Sequence, residues 1–431
     1  MTPPPTEILK QPSRREDAIN VIRRLRDQGH VAYLAGGCVR DELLGLTPKD
    51  FDVATDAPPI RVQALFQKTQ AVGAAFGVIL VRSGKSVIEV ATFRADGHYS
   101  DGRRPDRVTF TTAEADAQRR DFTINGLFLD PIENRVIDYV GGQADLRANL
   151  LRAIGDPQHR FAEDYLRILR AVRFAARFEM TIEPTTRDAI VRYAPRLIEI
   201  SPERIADELR GMLTPITRIV AWRLLWSLHV IGHLIRFVGT PPAAGLDMRR
   251  SIFERLQPGM SCGFPLAVAA AHVDFAWQSS SDGLFELLEG TTIEKICHAA
   301  RKSLRISNLE LDSLRSILRL ASSIVREPLS TARIKRFLAA ADSGDAIAFL
   351  RAISEISGYD WTRVCTALEA IKPFVGTEVA PLPWITGDDL IALGMVPGPM
   401  FKMILDRTYD EQLEGRITNR DAAVAFAIGL K

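Results

Sequence analysis

Leu34-Ala-Gly36-Gly37-Cys-Val-Arg40-Asp-Glu-Leu-Leu-Gly45-Leu-Thr-Pro-Lys-Asp50-Phe-Asp52-Val-Ala-Thr55 is the stretch around which the rest of the chain is arranged. The apolar run Val31 to Leu34 reads as a strand that stops at the paired glycines. An amphipathic helix over about Val39 to Leu44 follows, closed by Gly45, and a second strand then carries Asp50 and Asp52. Side chains two apart on a strand share a face and lie roughly 6.6 Å apart along it. Two carboxylates so placed suit divalent cations about 3.5–4 Å apart, a spacing that clamps both oxygens of a phosphoryl displacement. Glycines at a helix N-terminus let backbone N–H groups approach a phosphate chain. Arg40, one turn in, offers a forked cation. An isolated Asp-x-Asp is commonly no more than a solvated strand end. Joined to Gly-Gly-x-x-Arg-Asp upstream, it becomes a specific signal.

Gly36-Gly37-Cys38-Val39-Arg40-Asp41 with Asp50-Phe51-Asp52 resembles the signature of class II tRNA nucleotidyltransferases, the CCA-adding enzymes and their relatives the bacterial poly(A) polymerases. The resemblance implies template-independent addition of nucleotides to the 3′ end of RNA. It also implies a third acidic residue on a neighbouring strand and a site for two Mg²⁺ ions.

Composition sets outer bounds. A chain of 431 residues, 46% apolar and 25% charged, has room for two to four domains and more than one core. Its net charge of +2 means that RNA binding must rest on local arginine patches rather than on a global field. Cys38, Cys262, Cys297 and Cys365 lack Cys-x-x-Cys spacing and read as free thiols of a reducing cytosol. Neither a secretion signal nor a long apolar run suggests export or a membrane, so a cytoplasmic location is expected.

Residues 1–12 read as a disordered Pro-rich lead, and Asp17 to Gln28 as an amphipathic helix with the stripe Ala18, Val21, Ile22 and Leu25. Pro58 and Pro59 open a further helix through Phe66, and Val78 to Val81 and Val87 to Val90 read as paired strands. The alternation gives a mixed α/β head. Glu89 shares a strand face with Val87 and Ala91. It is either exposed at an edge or the third acidic group beside Asp50 and Asp52. The turn-rich stretch Ala95 to Asp106 is an ordinary surface loop on composition alone. By resemblance it matches the flexible loop implicated in the shift from C to A addition. Gln118-Arg119-Arg120-Asp121-Phe-Thr-Ile-Asn125 precedes an apolar run that draws Arg120 inward. The resemblance assigns Arg120 to the nucleotide, and Asn125 is a candidate contact to the ribose.

Phe161-Ala-Glu163-Asp164-Tyr-Leu-Arg167-Ile-Leu-Arg170-Ala-Val-Arg173-Phe174 reads as one helix with Leu169, Val172 and Ala176 as its apolar stripe. Cytosine and adenine both present an amino donor beside an unprotonated ring nitrogen. An accepting Asp164 and a donating Arg167, three apart on a helix, match that edge and mismatch uracil and guanine. The resemblance adds Arg170 and Arg173 to the nucleotide-binding series. Arg173, however, lies far round the helix from Asp164.

After Phe178 the chain reads as helical. His272 and Asp274 read as the core and surface positions of one helix rather than as a metal pair. Arg301, Lys302, Arg305, Arg333, Lys335 and Arg336 form a group of candidate phosphate contacts. In the last segment Gly394 closes one helix and Pro399 opens the next.

The expected fold is an α+β nucleotidyltransferase head with a mixed sheet, followed by an all-α neck, body and tail. Its expected parts are a lead at 1–12, a head at 13–155, a neck with the base-reading helix at 156–215, a body at 216–370 and a tRNA-contacting tail at 371–431. The expected partners are a tRNA 3′ end, CTP and ATP. A poly(A) polymerase of the same fold, which is expected to carry a Lys/Arg-rich C-terminal extension, is the nearest alternative. Enzymes that add only A or only CC, and a non-catalytic RNA-binding protein, are further ones.

Overall fold

Ala18, Val21, Ile22 and Leu25 recur at helical spacing, and in the computed structural model they lie fully buried in the core of the N-terminal body. The structure describes residues 12–97, 107–235, 251–256, 263–277, 288–326, 328–356 and 360–430. These divide into two compact bodies. The first runs to Ile200 and takes in Leu228–Val230; the second comprises Ser201–Ser227 and Ile231 onward.

The first body opens with α1 (Pro12–Arg26), β1 (Ala32–Ala35), α2 (Gly37–Leu43), β2 (Asp52–Thr55) and α3 (Pro59–Leu65). Strands β3 (Thr69–Gly73), β4 (Val78–Ser83) and β5 (Ser86–Thr92) follow, then the short hairpin β6 (Arg94–Asp96) and β7 (Val108–Phe110). Next come α4 (Ala113–Gln118), β8 (Leu127–Asp130), β9 (Arg135–Asp138) and α5 (Gly142–Arg147). The parallel pair β10 (Leu150–Leu151) and β11 (Thr181–Ile182) brackets α6 (Pro157–Glu163) and α7 (Leu166–Phe178), and α8 (Pro184–Tyr193) follows.

The main sheet has the order β3-β4-β5-β2-β1-β8-β9. Its neighbours are antiparallel except β2 and β5, which run parallel with Val53 beside Val90. One face carries Leu34, Val53, Ile79, Val81, Ile88, Val90 and Leu127 against the α1 stripe. Each such side chain contributes about 1.5–3 kcal/mol by leaving water. The opposite face carries Ala35, Ala54, Phe93 and Phe128 with Ala117 of α4. Phe93 and Phe128 meet edge-on, with centroids 5.7 Å apart.

The expected mixed-sheet head followed by helices is therefore present, with local corrections. Asp50 precedes β2, which begins at Asp52, so the two carboxylates are not strand mates. The segment Phe161 to Phe174 is two helices, because Asp164 is extended at φ −152°, ψ 105° and its Oδ1 accepts the Leu166 N–H at 3.0 Å. An Asp side chain that binds backbone two residues on starts a new helix rather than continuing the old one. The Pro-rich lead and most of the Ala95–Asp106 loop lie outside the described residues; Pro12 already belongs to α1.

Among its described residues the second body contains helices and no strand. The central helix Asn308–Arg326 packs on Phe264–Trp277, Gly290–Leu304 and Ser343–Ser354. Asp274, expected at the surface, is fully buried. It accepts from Trp222 Nε1 at 2.9 Å, Ser251 Oγ at 2.5 Å and the Ile252 N–H at 2.6 Å. Burial pushes its carboxyl up to about 7 against those donors. The tail keeps its own small core of Ile385, Leu390, Met395, Ile404, Ile417, Ala423 and Ala427. Its helices Gly387–Ala392 and Pro399–Leu413 meet through Gly394 at φ +74°.

Candidate active site

Chain direction reverses at Gly36, whose φ of +69° is open to glycine and strained for other residues. A Cβ built there would come within 2.8 Å of Arg120 Nη1. The glycine thus serves two needs. It permits the turn into α2 and leaves room for a guanidinium pressed against the backbone.

Asp52 pairs with Ala35 across β1 and β2, directly before that turn. It shares a sheet face with Ala54, and the parallel register that sets Val53 beside Val90 sets Asp52 beside Glu89. Strands so paired lie about 4.8 Å apart. Glu89, on the face with Val87 and Ala91, is exposed rather than packed in the core. Asp52 touches solvent, yet the surrounding protein pushes its carboxyl up to about 6. Burial is the leading cause, the charges of Glu89 and then Asp50 add to it, and Arg120 opposes it. Asp50 itself is exposed and receives Arg14 Nη1 at 3.3 Å. Cys38, fully enclosed below, is held as a thiol near 12 by burial, and its Sγ donates to the Ala35 carbonyl at 3.3 Å.

Arg120 lies across Phe128 with its guanidinium carbon 5.0 Å from the ring centroid. Its Nε and Nη2 bind Asp116 Oδ2 at 3.1 and 2.9 Å, and its Nη1 donates to the Asn125 carbonyl at 3.2 Å. Gly36, Gly37, Asp52, Glu89 and Arg120 are therefore gathered at one end of the sheet.

Arg40 and Asn125 are placed otherwise than expected. Arg40 is 4% exposed, binds Asp41 Oδ1 through Nε at 2.9 Å and Nη2 at 2.6 Å, and donates to Asn125 Oδ1. It also faces the rings of Phe178 at 4.5 Å and Phe174 at 5.2 Å. Asn125 is 8% exposed, and its Nδ2 donates to Asp121 Oδ1 at 3.0 Å. Both side chains are thus consumed inside the protein, because a buried guanidinium and amide must find partners there. Asp121 continues the network to Arg170, whose Nη2 lies 2.7 Å from Oδ2. Burial would raise the Asp121 carboxyl, but Arg170, Asn125 and the Phe122 N–H together bring it down to about 2.

The residues expected to read the base, Asp164 and Arg167, sit at the α6–α7 junction. Arg167 is 9% exposed and pairs with Glu163 rather than Asp164, and its Nη1 also donates to the Arg160 carbonyl at 2.9 Å. Arg173 lies over Phe174 at 4.5 Å. Two groups carried no expected role. Asp116 and Glu163 are the carboxylates that orient Arg120 and Arg167, each four residues before its arginine. In sequence that spacing suggests a helical pair, although Glu163 and Arg167 lie on either side of the Asp164 break and Arg120 lies past the end of α4.

In the second body, Arg305 pairs with Glu203 at 2.8 Å and Arg336 with Asp410 at 2.6 Å, and Lys335 donates to the Leu413 carbonyl at 2.9 Å. Arg333 Nη1 likewise donates to the Pro328 carbonyl at 3.0 Å, so four of the six candidate phosphate contacts are committed within the chain. Among the described residues no helix is long and apolar enough to cross a membrane.

A mixed sheet that aligns two carboxylates beside a glycine turn and an arginine defines a nucleotidyltransferase head. Comparison with known proteins agrees. The family described as "Poly A polymerase head domain" matches residues 32–152, and "Probable RNA and SrmB- binding site of polymerase A" matches 179–238. The Salmonella typhi protein named Poly(A) polymerase I is 46% identical over 229 residues, which is 50% of this chain and 49% of the relative. The Geobacillus stearothermophilus CCA-adding enzyme is 44% identical over 200 residues, 46% of this chain and 49% of the relative. The match spans about half the length of these relatives. The crystal structure of the Bacillus stearothermophilus CCA-adding enzyme with CTP superposes with a TM-score of 0.68 at 27% identity, over 96% of each chain. The Thermotoga maritima CCA-adding enzyme shares the fold with a TM-score of 0.64 at 20% identity, over 98% of this chain and 96% of that one. Residues 32–152 thus match the poly A polymerase head-domain family, and the fold is shared with the CCA-adding enzyme.

Proposed function

We propose that the protein adds or repairs the 3′-terminal CCA of tRNA in the cytoplasm, using CTP and ATP without a nucleic-acid template and releasing pyrophosphate. The observation that carries this reading is the parallel β2–β5 register, which sets Asp52 beside Glu89 at the glycine turn. The donor set fits an oxygen-ligated divalent cation. Burial raises the Asp52 carboxyl first, and the charges of Glu89 and then Asp50 add to it, a local excess of negative charge that a cation relieves. Among the described residues no three His, Cys, Asp or Glu side chains converge as a complete cage. Mg²⁺ is usually held by one or two carboxylates and completed by water and substrate phosphates. Asp52 and Glu89, with Asp50 once released from Arg14, would hold it. When bound, Mg²⁺ lowers the pKa of an attacking hydroxyl and stabilises charge on phosphate oxygens.

The chain's own residues supply the rest. The Gly36–Gly37 backbone and Arg120 bind and orient the triphosphate so that the tRNA 3′-hydroxyl faces the α-phosphorus in line with the departing pyrophosphate. Arg167 is held by Glu163 through Nη1 and donates to the ring nitrogen shared by cytosine and adenine, and Asp164 accepts from their amino group. Arg170 and Arg173 flank the same nucleotide along α7. The helical segments from 156 onward form neck, body and tail, of which the last meets tRNA.

Poly(A) addition is the second reading, favoured by relatives named Poly(A) polymerase I at 42–46% identity over half the chain. One assay separates the two. The protein is incubated with Mg²⁺, labelled CTP or ATP, and tRNA ending at the discriminator base, at C, or at CC. CCA addition uses CTP on the first two and one ATP on the third. Long A tails indicate the polymerase, and no incorporation of either nucleotide overturns both readings.

A further inference from the structure

Asp116 is a carboxylate 1% exposed to solvent on a helix of six residues, in the face of the sheet that also carries Phe93 and Phe128. A charge so deeply placed is tolerated only where partners satisfy it. Both oxygens are engaged. Oδ1 receives Arg119 Nε at 2.9 Å, Arg119 Nη2 at 2.8 Å and the Arg94 N–H at 3.3 Å. Oδ2 receives Arg120 Nε at 3.1 Å and Nη2 at 2.9 Å. One carboxylate therefore grips two adjacent guanidiniums by their Nε–Nη2 edges and turns them apart.

The two arginines then lead to different places. Arg119 extends towards the β6 hairpin, where Nη1 lies 3.5 Å from Asp96 Oδ2. Arg120 turns Nη1 towards the glycine turn, to the point where a Cβ on Gly36 would stand 2.8 Å away. A guanidinium has five N–H donors. Asp116 and the Asn125 carbonyl take three from Arg120, which leaves one N–H on Nη2 and one on Nη1, the nitrogen that faces the turn.

We propose that Asp116 is a positioning residue for nucleotide binding, fixing Arg120 so that its remaining Nη1 donor meets the triphosphate over Gly36–Gly37. The inference rests on the nucleotidyltransferase reading above. Asparagine at this position keeps the shape but offers one accepting oxygen, and its NH₂ opposes the other guanidinium. Arg120 then loses its fixed edge. Because the contact is to phosphate and not to base, CTP and ATP are affected alike.

The test compares the full chain with Asp116→Asn, Arg120→Lys and the double variant. Calorimetric Kd values for CTP and ATP with Mg²⁺ are measured beside KM and kcat for addition to tRNA. Asp116→Asn is expected to raise Kd and KM for both nucleotides about tenfold, the loss of one charge-assisted hydrogen bond, with a smaller change in kcat. Arg120→Lys is expected to do the same, and the double variant to add little, since both remove one contact. A folded Asp116→Asn protein with unchanged Kd and KM overturns the inference, as do fully additive losses. A lowered melting temperature with unchanged Kd marks a purely structural role and also overturns it. If Asp116→Asn does not fold, Asp116→Glu, which keeps the charge one methylene further out, is read by the same criteria. Failure of the unmodified protein to bind either nucleotide refutes the nucleotidyltransferase reading itself.

Discussion

Asp121 and Asp274 are fully enclosed carboxylates, one in each body, and they are driven in opposite directions. Asp121 faces Arg170 and Asn125 and falls to about 2; Asp274 faces Trp222, Ser251 and the Ile252 backbone and rises to about 7. Neutral donors satisfy hydrogen bonds without balancing charge, whereas a guanidinium does both. The first body uses buried ion pairs to join elements far apart in sequence, as in Asp41–Arg40–Asn125–Asp121–Arg170. In the second body the donors to Asp274 belong to Trp222, Ser251 and the Ile252 and Phe253 backbone, none of which carries a counter-charge. Chemistry should accordingly concentrate in the first body.

That contrast can be broken in several ways. Asp52→Ala is expected to reduce nucleotide incorporation by at least about 10³-fold while tRNA binding persists. An equal loss from a folded Asp274→Asn protein, measured in the same assay, would end the division of labour. Asp121→Ala strands Arg170 and should cost about 3–5 kcal/mol in denaturant unfolding, the range for breaking a buried pair. Gly36→Ala forces a left-handed φ on alanine and pushes on Arg120. It should cost about 1–3 kcal/mol and weaken nucleotide binding.

Acid gives a subtler comparison. The Asp121 contribution is complete above about pH 4, the ordinary carboxylate range, and is lost as pH falls towards 2. Asp274, raised in the folded state, has the opposite sign. Its burden is absent below about pH 4 and grows until pH reaches about 7. All five tryptophans, Trp222, Trp226, Trp277, Trp361 and Trp384, belong to the second body, so their fluorescence isolates it. Melting followed by tryptophan emission should shift upward between pH 7 and pH 5, and a downward shift would contradict the assignment. The smallest effect is expected at Arg416→Ala, an exposed pair with Glu411, where the midpoint should not move measurably.

Much of the head was legible because strand alternation and helical spacing are local properties. The α1 stripe, the β4–β5 pair and the face of Glu89 follow from periods of 3.6 or 2, and the turn from the paired Gly36 and Gly37. What escaped depends on competition among partners. Arg40 reads as a phosphate ligand until Asp41, Asn125 and two phenylalanine rings enclose it. Asp164 and Arg167 read as one helical face until the Asp164 side chain captures the Leu166 N–H and starts a new helix. Asp274 reads as a surface carboxylate because nothing local announces Trp222 or Ser251. Hydrophobic pattern is written along the chain, but the choice of polar partner is made across it.

The parallel alignment of β2 and β5 has an implication for how such a head can vary. The connection between them, through α3, β3 and β4, bears no part of the Asp52–Glu89 juxtaposition. Residues inserted at the exposed Gln67–Lys68 step between α3 and β3 should therefore be tolerated, whereas one residue gained inside β5 would send Glu89 to the opposite side of the sheet and part the two acids. Length is free in the connection and forbidden in the strand.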